Sequence, residues 1–269
     1  MTYTNEKIIE AVRGAGQIIL GAPEKCPGEL IHKKGGTFNY VTEYDVAVQD
    51  YLQDRLGKLV PGASFCAEEA EGFTVPSEGY TFIIDPIDGT SNFIHGFRCS
   101  AVSVALFYGG EACFGAVYLP FSDEMFYAER GGGAFLNGSP IRVNGLDTKH
   151  ALTLFGTTPY MRDTMCDAVL ELMRGLLTDS VDVRRCGAAA ADLCFVACGR
   201  AASFCEMLLS PWDYAAGALI VTEAGGIVSG FDGGPLSYTS KSCVVAANPV
   251  AYPSVLSLCG KISEKYGVK

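Results

Sequence analysis

The chain has 269 residues, of which 49% are hydrophobic and 19% charged, and its formal net charge at pH 7 is −10. This composition is typical of a globular protein with a large core, and it excludes extended disorder. The acidic balance argues against nucleic acid as the main partner, because phosphate contacts need clusters of lysine and arginine. No apolar run approaches the ~18 to 20 residues of a membrane span, so we expect no membrane association.

The eleven cysteines form an odd set without a C-x-x-C pair, and a chain of this size does not need disulfides to fold. We interpret them as reduced, mostly buried, small apolar residues. The N-terminal residues lack the basic-then-apolar pattern of a secretory signal. Both features predict a cytoplasmic protein.

The first predicted elements are two helices joined by a loop. Apolar residues at helical spacing predict a helix over residues 6–20, and a second helix is expected from Thr42 to about residue 59. Asp45 fits the first turn of that second helix, where an acid also has a purely structural role. Residues 32–36 between the helices predict a glycine-hinged loop that contains Lys34.

Two predicted strands are each followed by acidic residues. A short strand over residues 64–67 leads to Glu68, and a buried, β-branched strand over residues 81–84 leads to Asp85 and Asp88. We expect the second strand to end at Asp85, because proline follows it. Neighbouring strand ends would then present carboxylates to one site.

The turn after Asp88 has the features of an anion site. Gly89 can adopt the backbone of a sharp turn, and residues 90–92 are Thr, Ser and Asn, which are good helix N-caps. Acids beside an anion repel it unless cations lie between them. Oxygen-only ligands, including the Ile87 carbonyl, favour Mg²⁺ over zinc. For these residue types taken alone, an ordinary Asp-Pro-x-Asp-Gly surface turn is the alternative.

The pattern changes near residues 144–148, from meander-like strands to alternating strands and helices. We predict an N-terminal part over residues 1–145, which carries most of the acids, and a C-terminal part over residues 146–269. Further strands are predicted over residues 101–107, 112–118, 124–128, 152–155, 181–185, 202–207, 227–228 and 243–245, and further helices over 164–177, 188–198, 214–223 and the C-terminus.

Other catalytic motifs have weaker support. Cys194 and Arg200 match the spacing of cysteine-dependent phosphatases, but the residues between them are apolar and helical in pattern. Residues 131–133 are three glycines that fit a hairpin turn better than a nucleotide loop. The three histidines show no nucleophile or metal spacing. Carboxylate and metal chemistry is therefore favoured.

Two motifs resemble the signatures of the inositol monophosphatase family, within the fructose-bisphosphatase-like, lithium-sensitive phosphatase superfamily. They are Asp85-Pro-Ile-Asp-Gly-Thr-Ser-Asn-Phe93 and Trp212-Asp213-Tyr-Ala-Ala-Gly217, the latter followed by Glu223-Ala-Gly-Gly226. The resemblance spans nearly the whole chain. It implies an α/β fold, an αβαβα sandwich of two parts with the site between them, and a homodimer.

The resemblance also implies the metal ligands. One Mg²⁺ would bind Glu68, Asp85 and the Ile87 carbonyl, a second would lie between Asp85, Asp88 and Asp213, and a third, looser ion would lie near Glu68. A water activated by these ions would attack phosphorus in line, without a covalent enzyme intermediate.

The remaining site residues are implied in the same way. Thr90, hydrogen-bonded to Asp45, would orient the attacking water, and the Gly89 and Thr90 amides would hold phosphate. Lys34 matches the lysine of the family's mobile loop. The implied substrate contacts are Asp88, Gly89, Thr90, Gly187, Ala188, Ala189, Glu206 and Asp213.

The implied activity is Mg²⁺-dependent hydrolysis of a small polyol or sugar phosphate, with myo-inositol 1-phosphate as the first substrate. Asn39 replaces a common aspartate, and Ser210-Pro211 precedes Trp212 where animal enzymes carry His-Cys. Both departures affect substrate preference, which leaves fructose 1,6-bisphosphate, a nucleotide 3′-phosphate and NADP as alternatives.

Two other mechanisms or functions stay open. Haloacid-dehalogenase-type phosphatases also place Asp-Gly-Thr after an apolar strand, but their two acids lie two residues apart, whereas Asp85 and Asp88 lie three apart. A regulatory protein that acts by binding a partner is the alternative of another class, since some bacterial relatives are involved with transcription machinery. The intact set of acids argues against it.

Overall fold

A computed structural model describes residues 4–34, 39–69 and 78–268. These residues form seven α-helices and fourteen β-strands, and none of the helices is long and apolar enough to cross a membrane. The helices are α1 (Asn5–Leu20), α2 (Glu43–Leu59), α3 (Thr90–His95), α4 (Arg162–Asp179), α5 (Ala189–Ala197), α6 (Pro211–Glu223) and α7 (Tyr252–Tyr266). The strands are β1 (Ile31–Lys33), β2 (Tyr40–Thr42), β3 (Ser64–Ala67), β4 (Tyr80–Asp88), β5 (Ala101–Tyr108), β6 (Glu111–Leu119), β7 (Glu124–Glu129), β8 (Gly133–Leu136), β9 (Ser139–Ile141), β10 (Leu152–Phe155), β11 (Asp182–Arg184), β12 (Ser203–Leu209), β13 (Ile227–Gly230) and β14 (Ser242–Ala247).

Two large sheets organise the described residues. The seven-stranded sheet runs β3-β4-β5-β6-β7-β8-β9, and within it only β3 and β4 are parallel. The five-stranded sheet has the order β11-β10-β12-β14-β13, with β10 parallel to both of its neighbours. Strands β1 and β2 form a separate antiparallel pair.

Each sheet packs against a different core on each of its two faces, because successive side chains along a strand point to opposite faces. On β4, Phe82 and Ile84 pack with α1 and α2, whereas Ile83 packs on the opposite face with α5 and α6. On β12, Phe204 joins the α5 and α6 core, and Cys205 joins a third core with α4 and α7. The layers are therefore α1/α2, large sheet, α5/α6, small sheet and α4/α7. The predicted αβαβα sandwich is confirmed.

The proposed boundary near residue 145 separates the strands of the two sheets but not their packing. Helix α6 lies so close to β6 that a Cβ at Gly115 would be 2.9 Å from the Ala216 carbonyl oxygen. The helices of the C-terminal part thus use the N-terminal sheet as their support. The division into domains over 1–145 and 146–269 stays a prediction.

Several element boundaries differ from expectation. Residues 32 and 33, expected in a loop, belong to β1 because they pair with β2, and Gly35 and Gly36 lie outside the described residues. Trp212 and Asp213, expected to precede α6, lie in its first turn. That helix begins at Pro211, which occupies a first-turn position where no amide hydrogen is needed.

Candidate active site

Two parallel strands bring the first acids together. Ala67 at the end of β3 pairs with Ile84 of β4, and the Glu68 amide donates a hydrogen bond to the Ile84 carbonyl at 3.2 Å. Glu68 therefore follows β3 at the level where Asp85 follows Ile84. The expected juxtaposition of two acid-bearing strand ends is present.

Strand β4 does not end at Asp85, as we expected, but continues to Asp88 through a β-bulge. Asp85 pairs with Ser103 and Asp88 pairs with Ala101. The strand β4 therefore advances by three residues where β5 advances by two. Residues three apart on a regular strand point to opposite faces, and the extra residue of a bulge resets this alternation. Pro86 is tolerated inside the bulge, where the ladder needs no amide hydrogen. Both carboxylates consequently face one cavity.

Helix N-termini hold two of the acids. The Asp88 carboxylate accepts hydrogen bonds from the Ala189 amide at 3.1 Å and the Ala190 amide at 2.8 Å, both at the start of α5. Asp213 belongs to a capping box at the start of α6, in which the Ser210 amide donates to its Oδ2 at 2.7 Å. These contacts fix the carboxylates and leave further lone pairs for a ligand.

Thr90 links the turn to α2. Its hydroxyl lies 3.2 Å from Asp45 Oδ1 and 3.1 Å from the Ile87 carbonyl oxygen. One hydroxyl proton serves only one of these acceptors at a time. On its other side, Asp45 Oδ2 accepts hydrogen bonds from the Thr42 amide at 2.7 Å and the Thr42 hydroxyl at 2.6 Å. The hydrogen bond implied between Thr90 and Asp45 is thus present in the structure.

The N-terminus of α3 differs from the prediction that residues 90–92 cap it. Its N-cap is Gly89, which has a left-handed backbone with φ of 85° and provides no side-chain cap. The Thr90 hydroxyl instead points toward Asp45 and the Ile87 carbonyl. The Asn92 amide group donates to the carbonyls of Cys99 and Cys186. Tertiary contacts have therefore displaced local capping.

These elements enclose a cavity of about 130 Å³. Three predicted site residues, Asp45, Ala188 and Lys34, are not among the described lining residues; Asp45 lies behind Thr90. The cavity is lined by ten of the predicted residues, namely Glu68, Asp85, Ile87, Asp88, Gly89, Thr90, Gly187, Ala189, Glu206 and Asp213.

Burial and mutual repulsion make the acids of this cavity reluctant to ionise. Desolvation raises the pKa of Asp85, and the nearby charges of Glu68, Asp88 and Asp213 raise it further. Desolvation likewise raises the pKa of Asp213 and of Asp88. The cavity therefore favours the binding of cations.

Lys34 supplies part of that charge. Its Nζ lies 2.8 Å from Glu68 Oε1 and also forms an ion pair with Glu69. Burial raises the pKa of Glu69 to about 7, although the hydrogen bond from Lys34 opposes the shift. The Lys34 side chain is 17% exposed, so this contact is largely shielded from solvent. Lys34 thus approaches the acids from the side of β1.

The donor set fits a hard cation. Asp85 Oδ1 is buried and has no hydrogen-bond partner among the described residues, which is costly unless an ion or water satisfies it. The other donors are carboxylate oxygens and the Ile87 carbonyl, which suit Mg²⁺. In the described part of the chain, no three acidic, histidine or cysteine side chains already converge as a formed metal site.

Sequence reasoning did not identify several lining residues. Arg185 is the only lysine or arginine among the described lining residues, and its charge lowers the pKa of Glu206. The arginine pair just before Gly187 was a possible signal. Gly156 could not be identified from the sequence, because only a tertiary contact requires glycine at this position. A Cβ there would lie 1.8 Å from the Glu206 carboxyl group. Asn39 and Ser91, noted in the sequence without a predicted ligand contact, also line the cavity, and the other unidentified lining residues are Tyr40, Pro159 and Leu209.

Comparisons with known proteins agree with this architecture. The sequence model of the inositol monophosphatase family matches residues 2–264. A Pseudomonas aeruginosa protein named Nus factor SuhB is 39% identical over 254 residues, 93% of each chain. The inositol-1-monophosphatase of Mesorhizobium japonicum is 39% identical over 227 residues, 84% of this chain and 85% of the relative. A solved IMPase structure from Thermotoga maritima has a TM-score of 0.86 and 31% identity, and the match covers 96% of this chain and 97% of the other. This chain belongs to the inositol monophosphatase family.

Proposed function

We propose that the protein is a Mg²⁺-dependent phosphomonoesterase that hydrolyses a small polyol or sugar phosphate, with myo-inositol 1-phosphate as the first substrate. One observation carries the proposal: the acid that follows β3 and the acids on β4 and α6 line one cavity together with the Gly89–Thr90 turn. Such a concentration of buried carboxylates is fully ionised near neutral pH only when cations neutralise it.

Glu68, Asp85, Asp88, Asp213 and the Ile87 carbonyl would hold two or three Mg²⁺ ions. The unpartnered Asp85 Oδ1 supports this assignment. When bound, Mg²⁺ supplies positive charge that neutralises phosphate and makes water easier to ionise. Since Lys34 contacts Glu68, we infer that metal loading displaces it from that carboxylate.

The protein groups orient the reactants. When the Thr90 hydroxyl donates to Asp45, its lone pairs can accept a hydrogen bond from the attacking water and fix the direction of that water. The Gly89 and Thr90 amides are proposed to hold phosphate oxygens. Asp45 itself is buried, and desolvation raises its pKa to about 6, so it is ionised above that pH and can accept the hydrogen bond from Thr90.

The substrate alcohol would lie toward the C-terminal part. Glu206, Gly187 and Ala189 line that side of the cavity, and a carboxylate with backbone amides suits the hydroxyls of a polyol. Ala188 is the N-cap of α5 and directly precedes Ala189, whose amide binds Asp88 on this side of the cavity. The relative named inositol-1-monophosphatase supports inositol 1-phosphate as the first compound to test.

The test is phosphate release by the purified protein from inositol 1-phosphate, fructose 1,6-bisphosphate, NADP and a nucleotide 3′-phosphate, with Mg²⁺ or with EDTA. We expect Mg²⁺-dependent turnover that is fastest with inositol 1-phosphate. Faster turnover of another compound would retain the chemistry and change the substrate. Absence of release from every compound, or release unaffected by EDTA, would contradict the proposal.

A regulatory function is the second candidate, because relatives at 39% identity or below carry the name Nus factor SuhB. The Asp88→Asn variant separates the two functions. If it loses hydrolysis but still complements a strain that lacks this protein, partner binding is the physiological function. If it loses both hydrolysis and complementation, hydrolysis is the physiological function.

Four family properties also stay predictions for this chain: inhibition by lithium, assembly as a homodimer, the number of metal ions and a cytoplasmic location. Light scattering during size-exclusion chromatography tests the dimer, and phosphate release in a lithium titration tests the inhibition. A monomer mass or an unchanged rate would contradict the respective prediction.

A further inference from the structure

Two cysteines lie together beside the candidate active site without being part of it. Cys99 is on the segment between α3 and β5, and Cys186 lies just before α5. Both are partly exposed, and both line a second cavity of about 370 Å³. Each is therefore accessible to a small reagent.

The backbone holds these cysteines close to each other. The Asn92 side-chain amide donates to the Cys99 carbonyl at 2.7 Å and to the Cys186 carbonyl at 2.8 Å. Asn92 is 8% exposed, so this bridge is largely shielded from solvent. Two segments 87 residues apart in sequence are thereby fixed side by side, and both cysteines line the same cavity.

An acid adjoins the thiol pair. The Asp192 carboxyl interacts with the Cys186 thiol. Its side chain is 1% exposed, and its Oδ1 has no hydrogen-bond partner among the described residues. Cys186 thus has a buried carboxyl group beside it, within a cavity whose other lining residues include Phe97, Leu154 and Phe195.

We propose that Cys99 and Cys186 form a dithiol modification site, at which a small hydroperoxide produces an intramolecular disulfide. The Cys99 sulfur, after losing its proton to solvent, attacks one peroxide oxygen; the O–O bond breaks, and the other oxygen leaves as water after taking up a proton. The Cys186 sulfur then displaces the sulfenic hydroxyl, its own proton is released, and a second water leaves. In sum, two thiols lose two electrons and two protons, and one hydrogen peroxide becomes two waters.

The local chemistry assigns the first step to Cys99. The pKa of Cys99 is lowered because the Cys186 thiol donates a hydrogen bond to its sulfur. The pKa of Cys186 is raised by the same contact and by desolvation. A cysteine with the lower pKa reacts first with peroxide, and its neighbour resolves the product.

The disulfide would disturb the proposed active site. Sulfur atoms in a disulfide are about 2.05 Å apart, much closer than two hydrogen-bonded thiols. Cys186 precedes Gly187, and the turn there delivers the Ala189 and Ala190 amides to Asp88. A shift of about 1 Å at a catalytic centre costs about a hundredfold in rate. We therefore expect oxidation to slow phosphate release at least tenfold, and this part of the inference rests on the proposed function.

The experiment treats the reduced protein with hydrogen peroxide and measures free thiols, the tryptic map and phosphate release. Cys99 and Cys186 follow Arg98 and Arg185, so each becomes the first residue of its tryptic peptide and is located readily by fragmentation. The variants are Cys99→Ser and Cys186→Ser. Cys166→Ser is the matched control, because Cys166 is exposed on α4.

We expect the wild type and Cys166→Ser to lose two thiols, to yield a peptide linked through Cys99 and Cys186, and to recover both thiols and activity with dithiothreitol. Neither of the other variants should form the link. Oxidation of Cys99 to sulfinic acid without a link, or a link through other cysteines, would overturn the site. A link without loss of activity would overturn its effect on the reaction. If the reduced protein releases no phosphate, the proposed function fails, while the peptide map still decides the site.

Discussion

Glu206 offers a quantitative test of how burial governs this site. Glu206 lies on β12 and is 9% exposed. Its Oε1 accepts a hydrogen bond from the Thr158 amide at 3.2 Å. Desolvation outweighs that hydrogen bond and raises the pKa from 4.5 to about 7. Since the folded-state pKa lies above the unfolded one, protonated Glu206 favours folding. This contribution is complete below about pH 4.5 and is lost as the pH rises through about 7.

The Glu206→Gln substitution removes this titration. A shift from 4.5 to about 7 corresponds to at most about 3 kcal/mol of unfolding free energy by pH 8. Glutamine keeps one acceptor for the Thr158 amide but turns an NH₂ group toward the Thr157 amide, which costs about 1 kcal/mol at every pH. The difference in unfolding free energy between Glu206→Gln and the wild type should therefore shift in favour of the variant by roughly 2 to 3 kcal/mol between pH 5 and pH 8.

Urea unfolding of the metal-free protein at several pH values between 5 and 8 measures this difference. Glu264→Gln is the matched control, because Glu264 is exposed on α7. Its stability should follow the wild type at every pH. Parallel pH profiles for Glu206→Gln and the wild type would refute the argument that burial of the Glu206 charge destabilises the protein.

Three further substitutions test other contacts. Gly156→Ala adds a Cβ 1.8 Å from the Glu206 carboxyl group and should displace that group, which raises KM for the polyol phosphate about tenfold with a smaller change in kcat. An unchanged KM would contradict the contact of Glu206 with substrate. Thr90→Val leaves Asp45 Oδ1 without its donor and should lower kcat about a hundredfold in phosphate-release assays, whereas a normal kcat would exclude the proposed water-orienting role. Lys34→Gln removes a cation from Glu68 and should tighten Mg²⁺ binding about fivefold in titration calorimetry; weaker binding would show that Lys34 does not compete with the metal.

The sequence allowed most helices and strands and the set of acids to be predicted from local patterns, whereas the αβαβα layering was implied by the family resemblance. Alternating and helical hydrophobic spacing predicts which faces are buried, and the two acid motifs are contiguous in sequence. The resemblance to the family then joined them into one site. The cavity that Glu68, Asp85, Asp88 and Asp213 share agrees with that interpretation.

Features that depend on distant partners could not be predicted. Whether β4 ends at Asp85 depends on its pairing with β5, which shifts by one residue so that Asp88 is also in the strand. Thr90 bonds to Asp45 rather than capping α3, because α2 brings a buried acceptor within 3.2 Å. Gly156 is constrained by Glu206, 50 residues later in the chain. Each outcome follows from tertiary contacts that override a local preference.

The most direct test of the central claim compares phosphate release from inositol 1-phosphate by the wild type, Asp85→Asn and Asp54→Asn, with Mg²⁺ and with EDTA. Asp85 is 2% exposed and has an unpartnered oxygen, whereas Asp54 is an exposed residue of α2 paired with Lys58. We predict Mg²⁺-dependent release by the wild type and Asp54→Asn, and a loss of at least a hundredfold in Asp85→Asn. Equal release by all three proteins, or wild-type release that persists in EDTA, would contradict the claim that this acidic cavity is a metal-dependent phosphatase site.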